Sequence, residues 1–117
     1  ESTIYQLGDK LDDFTVTTYD GRSITLSEVL KEKDAVLINF WATWCGPCMM
    51  VSPFIEEISE ERADIKVCKV NVDEEPELGR EFKIMSIPAL FVIRDGEITA
   101  KAVGYRTKEA LLDMFEE

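Results

Sequence analysis

The sequence predicts an α/β fold in which helices flank a mixed central β-sheet. The first observation behind this prediction is a continuous apolar run that passes directly into an amphipathic helix. The second is another buried strand after that helix, followed by a hairpin and a final helix. With 117 residues, the chain is long enough to build one core without disulfide crosslinks. We therefore expect a single domain over residues 1–117, in which residues 1–33 form a hairpin and a short helix and residues 34–117 form the main unit.

The predicted N-terminal elements are a β-hairpin and a short helix. Residues 14–18 and residues 23–26 have the composition of two strands, and residues 19–22 have that of the turn between them. Ser27 follows the second strand, and a serine at that point predicts the N-cap of the short helix.

The next predicted elements are a buried strand and a long helix. Residues 35–41 are almost entirely apolar, which is typical of a strand buried on both faces. Apolar residues then recur among glutamates, which predicts a helix with one buried stripe and one solvated face. The predicted stripe consists of Met49, Pro53, Phe54, Ile55 and Ile58. The predicted solvated face consists of Glu56, Glu57, Glu60 and Glu61, to which we assign no acid–base role.

A second strand–helix pair is predicted after the long helix. Residues 65–72 are mostly apolar and predict another buried strand. Residues 73–82 predict a helix, in which Asp73 is the expected N-cap and Pro76 is tolerated in the first turn.

The chain ends with a predicted hairpin and a helix. Residues 89–93 and 97–103 predict two strands joined by the Asp95–Gly96 turn. Thr107 predicts the N-cap of the last helix. Three apolar side chains near the end of the chain are expected to face the core: Leu111, Leu112 and Phe115.

Cys45 and Cys48 stand where the first buried strand gives way to the long helix. Cys45 falls at the predicted helix N-terminus, where unpaired N–H groups and the helix dipole favour a thiolate. Cys48 lies three residues further on, on the same helical face, and Pro47 suits the first turn. This arrangement predicts an attacking sulfur and a resolving sulfur. A purely structural disulfide is the alternative, but a domain of this size does not need one.

The charge balance narrows the classes of function. The 13 basic and 24 acidic residues give a net charge of −11, which we interpret as a solvated surface. Because there is no basic cluster, we expect no nucleic-acid partner. Because no apolar stretch is long enough to cross a bilayer, we expect no membrane span in this chain. A structural zinc site needs four ligands, whereas the chain has three cysteines and no histidine. We therefore expect neither a metal nor a cofactor.

Residues 39–48, Asn-Phe-Trp-Ala-Thr-Trp-Cys-Gly-Pro-Cys, closely resemble the active-site segment of the thioredoxin family. Residues 86–90, Ser-Ile-Pro-Ala-Leu, resemble the family's cis-proline loop, and Pro53 matches the proline of its active-site helix. The resemblance covers residues 34–117 and implies a thioredoxin fold, here with an extra N-terminal β-hairpin. Asp95–Gly96 and Val103–Gly104 match the family's last turn and its substrate-facing glycine.

The resemblance implies an enzyme that reduces protein disulfides by cycling Cys45 and Cys48 between dithiol and disulfide. Its implied partners are disulfide-bearing proteins and an upstream thiol reductase as electron donor, and we expect a monomer. The resemblance also implies a cis peptide bond before Pro88, which faces the dithiol. The implied substrate surface consists of Trp44, Gly46, Pro47, Ile87, Pro88, Val103 and Gly104, and Met49 either extends it or packs against the helix.

Asn39 departs from the family pattern, because thioredoxins typically place a buried aspartate here to exchange a proton with the resolving thiol. Asparagine cannot titrate. Lys69 matches the lysine beside that aspartate and is expected either to approach the dithiol or to reach the surface. Cys68, in the second buried strand, is interpreted as a small hydrophobic core residue.

Three alternatives stay open at this point. The N-terminal pattern, Gly8-Asp9 through Thr25-Leu26-Ser27, and Asn39 resemble envelope thiol-disulfide reductases of the cytochrome-maturation type. The compartment is therefore either cytoplasmic or bacterial extracytoplasmic, and the hairpin favours the latter. A thioredoxin-like interaction module with little redox turnover is the second alternative. A peroxidase is the third, but the loop that precedes a peroxiredoxin nucleophile is missing before Cys45.

Overall fold

A computed structural model describes residues 7–8, 10–18 and 21–116. Six strands form one sheet in the order β2-β1-β4-β3-β5-β6. The strands are β1 (Thr15–Thr18), β2 (Ser23–Thr25), β3 (Ala35–Trp41), β4 (Ile65–Asn71), β5 (Ala89–Arg94) and β6 (Glu97–Val103). The helices are α1 (Leu26–Leu30), α2 (Gly46–Glu61), α3 (Pro76–Glu81) and α4 (Lys108–Asp113), followed by a 3₁₀ turn at Met114–Glu116.

The sheet is mixed, as the sequence predicts. Strands β3 and β4 pair in parallel, and α2 makes the crossover connection that a parallel pair requires. Strand β5 pairs antiparallel with β3, and β6 pairs antiparallel with β5. The predicted burial of β3 on both faces is confirmed, because every residue of this strand except Trp41 is buried. The continuous apolar run therefore marks the centre of the sheet.

Alternate residues of β3 build two core layers on opposite faces of the sheet. Ala35 and Leu37 pack in the layer that contains the buried side chains of α2. Val36, Ile38 and Phe40 pack in the layer that α1 and α3 cover. In this second layer the ring of Phe82, just after α3, lies 5.0 Å from the rings of both Phe40 and Phe91, measured between centroids. These contacts hold α3 against the sheet.

The predicted N-terminal hairpin is present, with β1 and β2 antiparallel and Val16 opposite Ile24. Tyr19 and Asp20 of its predicted turn lie outside the described residues, as does Asp9. Strand β1 also pairs antiparallel with β4, with Thr17 opposite Lys69. The hairpin therefore extends the central sheet instead of forming a separate layer.

The segment before β1 runs from one edge of the sheet to the other. Gly8 N–H donates to the Ile98 carbonyl of β6 at 2.8 Å, and Leu11 N–H donates to the Gly96 carbonyl at 2.8 Å. Leu11 and Phe14 then pack against the α1/α3 core layer before the chain enters β1. The segment thus connects β6, at one sheet edge, to the hairpin at the other.

The predicted N-cap of α1 is wrong. Thr25 occupies the N-cap position and makes no side-chain capping bond, whereas Ser27 lies inside the helix. The capping acceptor comes from an earlier part of the chain. Asp13 accepts a hydrogen bond from the Ser27 backbone N–H at 2.9 Å and another from the Ser27 hydroxyl at 2.7 Å. A carboxylate at this helix end satisfies a donor that the helix itself leaves unpaired.

The predicted start of α3 is wrong as well, because Asp73 does not cap it. The helix begins at Pro76, which is tolerated at this end as predicted, and Glu75 holds the N-cap position. The Asp73 carboxylate instead accepts a hydrogen bond from Trp44 Nε1 at 2.8 Å. The predicted cap of α4 is confirmed, since the Thr107 hydroxyl accepts from Ala110 N–H at 3.2 Å.

The predicted buried stripe of α2 is correct in its second half only. Ile55 and Ile58 are buried, Phe54 is half-buried, but Met49 and Pro53 are exposed. The buried positions further upstream are Cys48 and Val51. The stripe therefore follows the spacing 48, 51, 55 and 58, so that Met49, one residue past Cys48, is rotated away from the core. At the end of the chain the inward-facing residues are as predicted, with Leu111 and Phe115 buried and Leu112 half-buried.

The Asp13–Ser27 contact gives a pH-dependent prediction. Hydrogen bonds from the Ser27 hydroxyl and backbone N–H hold the pKa of the Asp13 carboxyl below its ordinary value of 3.8. A lowered folded-state pKa contributes stability above the unfolded-state pKa, and this stability is lost as the pH falls through the folded-state value. We expect Asp13→Asn to lower the free energy of unfolding at pH 7, with a difference from wild type that disappears towards pH 2. Urea unfolding at a series of pH values measures this difference.

Asp12→Asn is the matched control, since it removes the same charge from the neighbouring exposed residue. We expect its effect to be smaller at pH 7 than that of Asp13→Asn. An Asp13→Asn difference that stays constant from neutral to acid pH would contradict the assignment of Asp13 as the cap.

Candidate active site

Cys45 and Cys48 lie where the carboxyl end of β3 leads into α2. Cys45 holds the N-cap position of α2 in extended backbone geometry. Its Sγ accepts a hydrogen bond from the Cys48 backbone N–H at 3.1 Å. The two cysteines form a disulfide, with their Cα atoms 5.3 Å apart. The sulfur of Cys45 thus takes the place that an N-cap oxygen usually occupies.

The two sulfurs differ in their surroundings. Cys45 is 5% exposed and Cys48 is 1% exposed, while Gly46 and Pro47 between them are exposed. Both cysteines pack against Ala42 in a small apolar cluster. A partner approaching from solvent therefore reaches Cys45 first, and Cys48 lies beneath it.

The loop before β5 approaches the disulfide from the opposite side. The Ile87–Pro88 peptide bond is cis, and the Ile87 carbonyl oxygen lies 3.7 Å from Cys45 Sγ. The Pro88 carbonyl accepts a hydrogen bond from Gly104 N–H at 2.7 Å. Gly104 has a φ of 91°, a left-handed conformation that side chains rarely adopt. This bond ties the proline loop to the end of β6.

Six of the seven predicted substrate-surface residues divide into two groups, whereas the seventh, Pro88, is buried and does not line the groove beside Cys45. Trp44, Gly46, Pro47 and Ile87 line one groove together with Cys45, and the volume of this groove is about 800 Å³. The other group is at the end of β6, where Val103 is exposed and Gly104 is half-buried; neither lines the groove. Trp44 is 69% exposed and is held by the hydrogen bond from its Nε1 to Asp73. Met49 is exposed rather than packed against the helix.

The far side of the groove was not predicted from the sequence. It is formed by the residue that follows β4, by α3 and by the segment that leads to Pro88. Its residues are Val72, Pro76, Gly79, Arg80, Lys83, Ile84, Met85 and Ser86. A signal for part of this side is present in the sequence, because residues 76, 79 and 80 lie within the predicted helix and follow helical spacing. Their packing partner across the groove, the Trp44–Gly46 turn, is contributed by a distant part of the chain, which spacing alone does not reveal.

Asn39 and Lys69 are neighbours across the parallel pair of β3 and β4. Asn39 is 2% exposed, whereas Lys69 is half-buried. The Lys69 Nζ lies 5.7 Å from the centroid of the Trp41 ring, which is within the range of a cation–π interaction. The sheet therefore places a buried amide on β3 and a partly buried ammonium on β4 side by side.

Cys68 is a free cysteine in the core. It is fully buried and packs in the α1/α3 layer with Ile38 and Phe40. Burial in this apolar setting raises the pKa of its thiol to about 12, because the charged thiolate is poorly solvated there. In the part of the chain that the structure describes, no cluster of three or more His, Cys, Asp or Glu side chains has an arrangement suited to a metal ion.

Comparison with known proteins relates the chain to one family. A sequence model of the Thioredoxin family matches residues 22–117. Thioredoxin of Listeria monocytogenes is 54% identical over 77 residues, which cover 65% of this chain and 75% of that protein. The bifunctional thioredoxin reductase/thioredoxin of Mycobacterium leprae is 47% identical over 87 residues, which cover 74% of this chain and 19% of that protein. The crystal structure of oxidized mitochondrial thioredoxin 3 from Saccharomyces cerevisiae superposes with a TM-score of 0.68 at 30% identity, covering 76% of this chain and 83% of that one.

The position of Cys68 gives a prediction about its role. Its thiolate is suppressed by burial and its side chain fills core volume, so we expect Cys68→Ala to keep disulfide reduction within about threefold of wild type. The small cavity should lower the free energy of unfolding by about 1 kcal/mol. Insulin-disulfide turbidity and urea unfolding measure the two effects, with Cys45→Ala as the inactive control. A loss of turnover as large as that of Cys45→Ala would show that a third thiol takes part in the reaction.

Proposed function

The chain belongs to the thioredoxin family, and we propose that Cys45 is the attacking sulfur and Cys48 the resolving sulfur of its thiol-disulfide oxidoreductase activity. The observation that carries this assignment is the hydrogen bond from Cys48 N–H to Cys45 Sγ at the start of α2. A hydrogen bond to the charged form and a helix N-terminus both favour a thiolate. Among the three cysteines, the structure gives such a setting to Cys45 alone.

The reaction then proceeds in two exchange steps. In the reduced enzyme the Cys45 thiolate attacks one sulfur of a substrate disulfide, which forms an intermolecular disulfide and releases the other substrate sulfur as a thiolate. Cys48, once deprotonated, attacks Cys45 Sγ and displaces the second substrate thiolate. The substrate gains two electrons, takes its protons from solvent or from the enzyme thiol, and leaves the Cys45–Cys48 disulfide behind. A dithiol reductant must reopen this disulfide before the next cycle.

We assign the positioning of the substrate to the residues around Cys45. The Ile87 carbonyl, close to Cys45 Sγ, is suited to accept a backbone hydrogen bond from an extended substrate segment. Trp44 offers a large exposed ring that its bond to Asp73 holds in place. Val103 and Gly104 extend the surface on the other side of Pro88, to which Gly104 is bonded. Exposed Met49 adds an adaptable apolar contact.

Proton transfer is the step that this chain must arrange differently from a thioredoxin with an aspartate at position 39. The buried amide of Asn39 offers hydrogen bonds but no titration. The proton of Cys48 must therefore go to water or to the departing substrate thiolate, and the Lys69 ammonium, which has no acceptor, can assist only through its positive charge. We propose that this makes the resolution step dependent on the titration of Cys48 itself.

Proteins of this family act on disulfide substrates and are reduced by thioredoxin reductase. We infer that a thiol reductase of this class supplies electrons to this chain. We also propose that the chain is a monomer with a single domain. The Mycobacterium leprae relative, whose name gives both activities to one protein, supports this partner. Pairing of β1 with β4 supports a single domain. The matches to thioredoxins do not favour the envelope-type reductase or the interaction module. No helix in the described ranges is both long and apolar enough to cross a membrane.

The assignment of Cys45 predicts unequal reactivity of the two thiols. With the reduced protein near neutral pH, we expect iodoacetamide to label Cys45 about tenfold faster than Cys48, because Cys45 has the thiolate-stabilising position and the greater access. Peptide mapping of the labelled sites measures both rates, and Cys68 serves as the buried internal control. Faster labelling of Cys48 would reverse the two roles. Cys45→Ser should abolish disulfide reduction, and Cys48→Ser should trap a mixed disulfide with substrate.

The role of position 39 predicts the behaviour of Asn39→Asp. A carboxylate there should accept the Cys48 proton and speed resolution of the mixed disulfide near neutral pH, while burial of the acid should cost about 1–3 kcal/mol of stability. Single-turnover reduction of a peptide disulfide from pH 5 to pH 9 measures the resolution step. Asn71→Asp, the same change at the chain's other asparagine, is the control and should leave the profile unchanged. Overlapping profiles for wild type and Asn39→Asp would show that position 39 has no part in proton transfer.

A further inference from the structure

The groove beside Cys45 carries a charge opposite to that of the rest of the chain. The chain has 24 acidic and 13 basic residues. The described residues that line the groove nevertheless include Arg80 and Lys83 and no aspartate or glutamate. Trp44 and Cys45 form one side of the groove, and α3 with the following segment forms the other. A substrate whose disulfide reaches Cys45 therefore lies against a wall that presents two cations.

Two cations and no acid of this segment line the groove. Pro76, Gly79 and Arg80 belong to α3, which ends at Glu81, and Lys83 follows two residues after its end; all four line the groove. Glu77 and Glu81 lie on the same segment but do not line the groove. Gly79 adds no side chain to the floor, so the space between the cations and Trp44 stays open.

The backbone at Lys83 fixes the start of its side chain. Lys83 has a φ of 53°, and it follows α3 in a Schellman-type ending: Lys83 N–H donates to the Arg80 carbonyl at 3.0 Å, and Ile84 N–H donates to the Gly79 carbonyl at 2.9 Å. Glycine is the residue that this position ordinarily favours. Here a lysine occupies it, and its charge stands at the groove. An unfavourable backbone conformation that delivers a charged side chain to a binding groove points to a functional use of that charge.

We propose that Arg80 and Lys83 make this enzyme select protein disulfides that have an aspartate or glutamate close to the cystine in sequence. This inference rests on the proposed roles of Cys45 and Cys48, and the chemistry is the two-step exchange described above. The substrate carboxylate pairs with the two cations while the disulfide lies at Cys45. Because the substrate charge acts only through docking, it changes kcat/KM for acidic substrates and leaves the reactivity of Cys45 unchanged.

The overall charge of −11 works against acidic substrates at long range. At physiological ionic strength this repulsion is screened over about 8 Å, whereas a carboxylate in the groove is in direct contact with the two cations. Partly exposed ion pairs are worth about 0.2–1 kcal/mol each, so two such contacts correspond to about two- to thirtyfold in kcat/KM. The expected preference is therefore measurable but moderate, and it should decrease when salt is added.

The test uses sets of cystine peptides. Within each set the peptides are identical except at one position beside the cystine, which is glutamate, glutamine or lysine. Each set varies a different position flanking the cystine. We measure kcat/KM for their reduction by wild type, by Arg80→Gln with Lys83→Gln, and by Lys31→Gln. Lys31 is an exposed lysine at the end of α1, beside the start of β3 and so at the opposite end of the sheet from the disulfide. We expect the kcat/KM of wild type for the best glutamate peptide to be about two- to thirtyfold higher than for its glutamine counterpart. The double variant should lose this preference, and Lys31→Gln should keep it.

Lys83→Gly separates specificity from folding. Glycine suits the left-handed backbone at this position, so we expect the urea midpoint of this variant to equal or exceed that of wild type while its preference for glutamate falls. Equal rates for glutamate and glutamine peptides at every position in wild type would overturn the proposal. So would a parallel fall of all peptide rates in the double variant, because that would place the effect on Cys45. If wild type reduces none of the peptides, or if Cys45→Ser still does, the proposed roles of the cysteines are wrong instead.

Discussion

One backbone hydrogen bond, from Cys48 N–H to Cys45 Sγ, links the fold of this protein to its chemistry. The bond exists only because α2 begins at Gly46, one residue past Cys45. The helix begins there because β3 ends at Trp41 and a short turn brings the chain back over the sheet. The buried strand therefore sets the position of the helix N-terminus, and the helix N-terminus sets the position of the sulfur. The same bond requires the two cysteines to be three residues apart, which is the spacing that allows one to resolve the disulfide formed by the other.

The parts of this arrangement that depend on local pattern were predictable from the sequence. These parts are the apolar run of β3, the cysteine pair at the start of α2 and the Thr107 cap of α4. Each of them depends on residues that lie close together in the sequence. The cis bond at Pro88 was predicted because the surrounding segment resembles that of a known family; the frequency of cis proline alone would have argued against it.

The parts that were missed depend on contacts between distant segments. Asp13 caps α1 from fourteen residues upstream of Ser27, and Asp73 is drawn away from α3 by Trp44, 29 residues earlier in the chain. In a sequence, a capping residue is identified by its position next to the helix start. A cap supplied by a distant residue, such as Asp13, therefore gives no local signal, and neither does the loss of Asp73 to a distant partner. The burial of Met49 was predicted wrongly for another reason. Because α2 begins just after Cys45, its buried stripe starts at Cys48, and Met49, the next residue, points away from the core. The α3 side of the groove was missed because Trp44, which lines the same groove, is distant from α3 in the sequence.

The N-terminal segment has a consequence for how this protein meets other copies of itself. An exposed strand edge is a template for pairing with another chain. The segment that bonds to Gly96 and Ile98 covers the beginning of β6, and on the other side the hairpin replaces the long edge of β4 with β2, a strand of three residues. Lys101, exposed on β6, adds a charge to the remaining stretch. The protein thus exposes apolar side chains such as Trp44, Met49 and Val103, while its sheet edges offer little unpaired backbone on which chains could stack and aggregate.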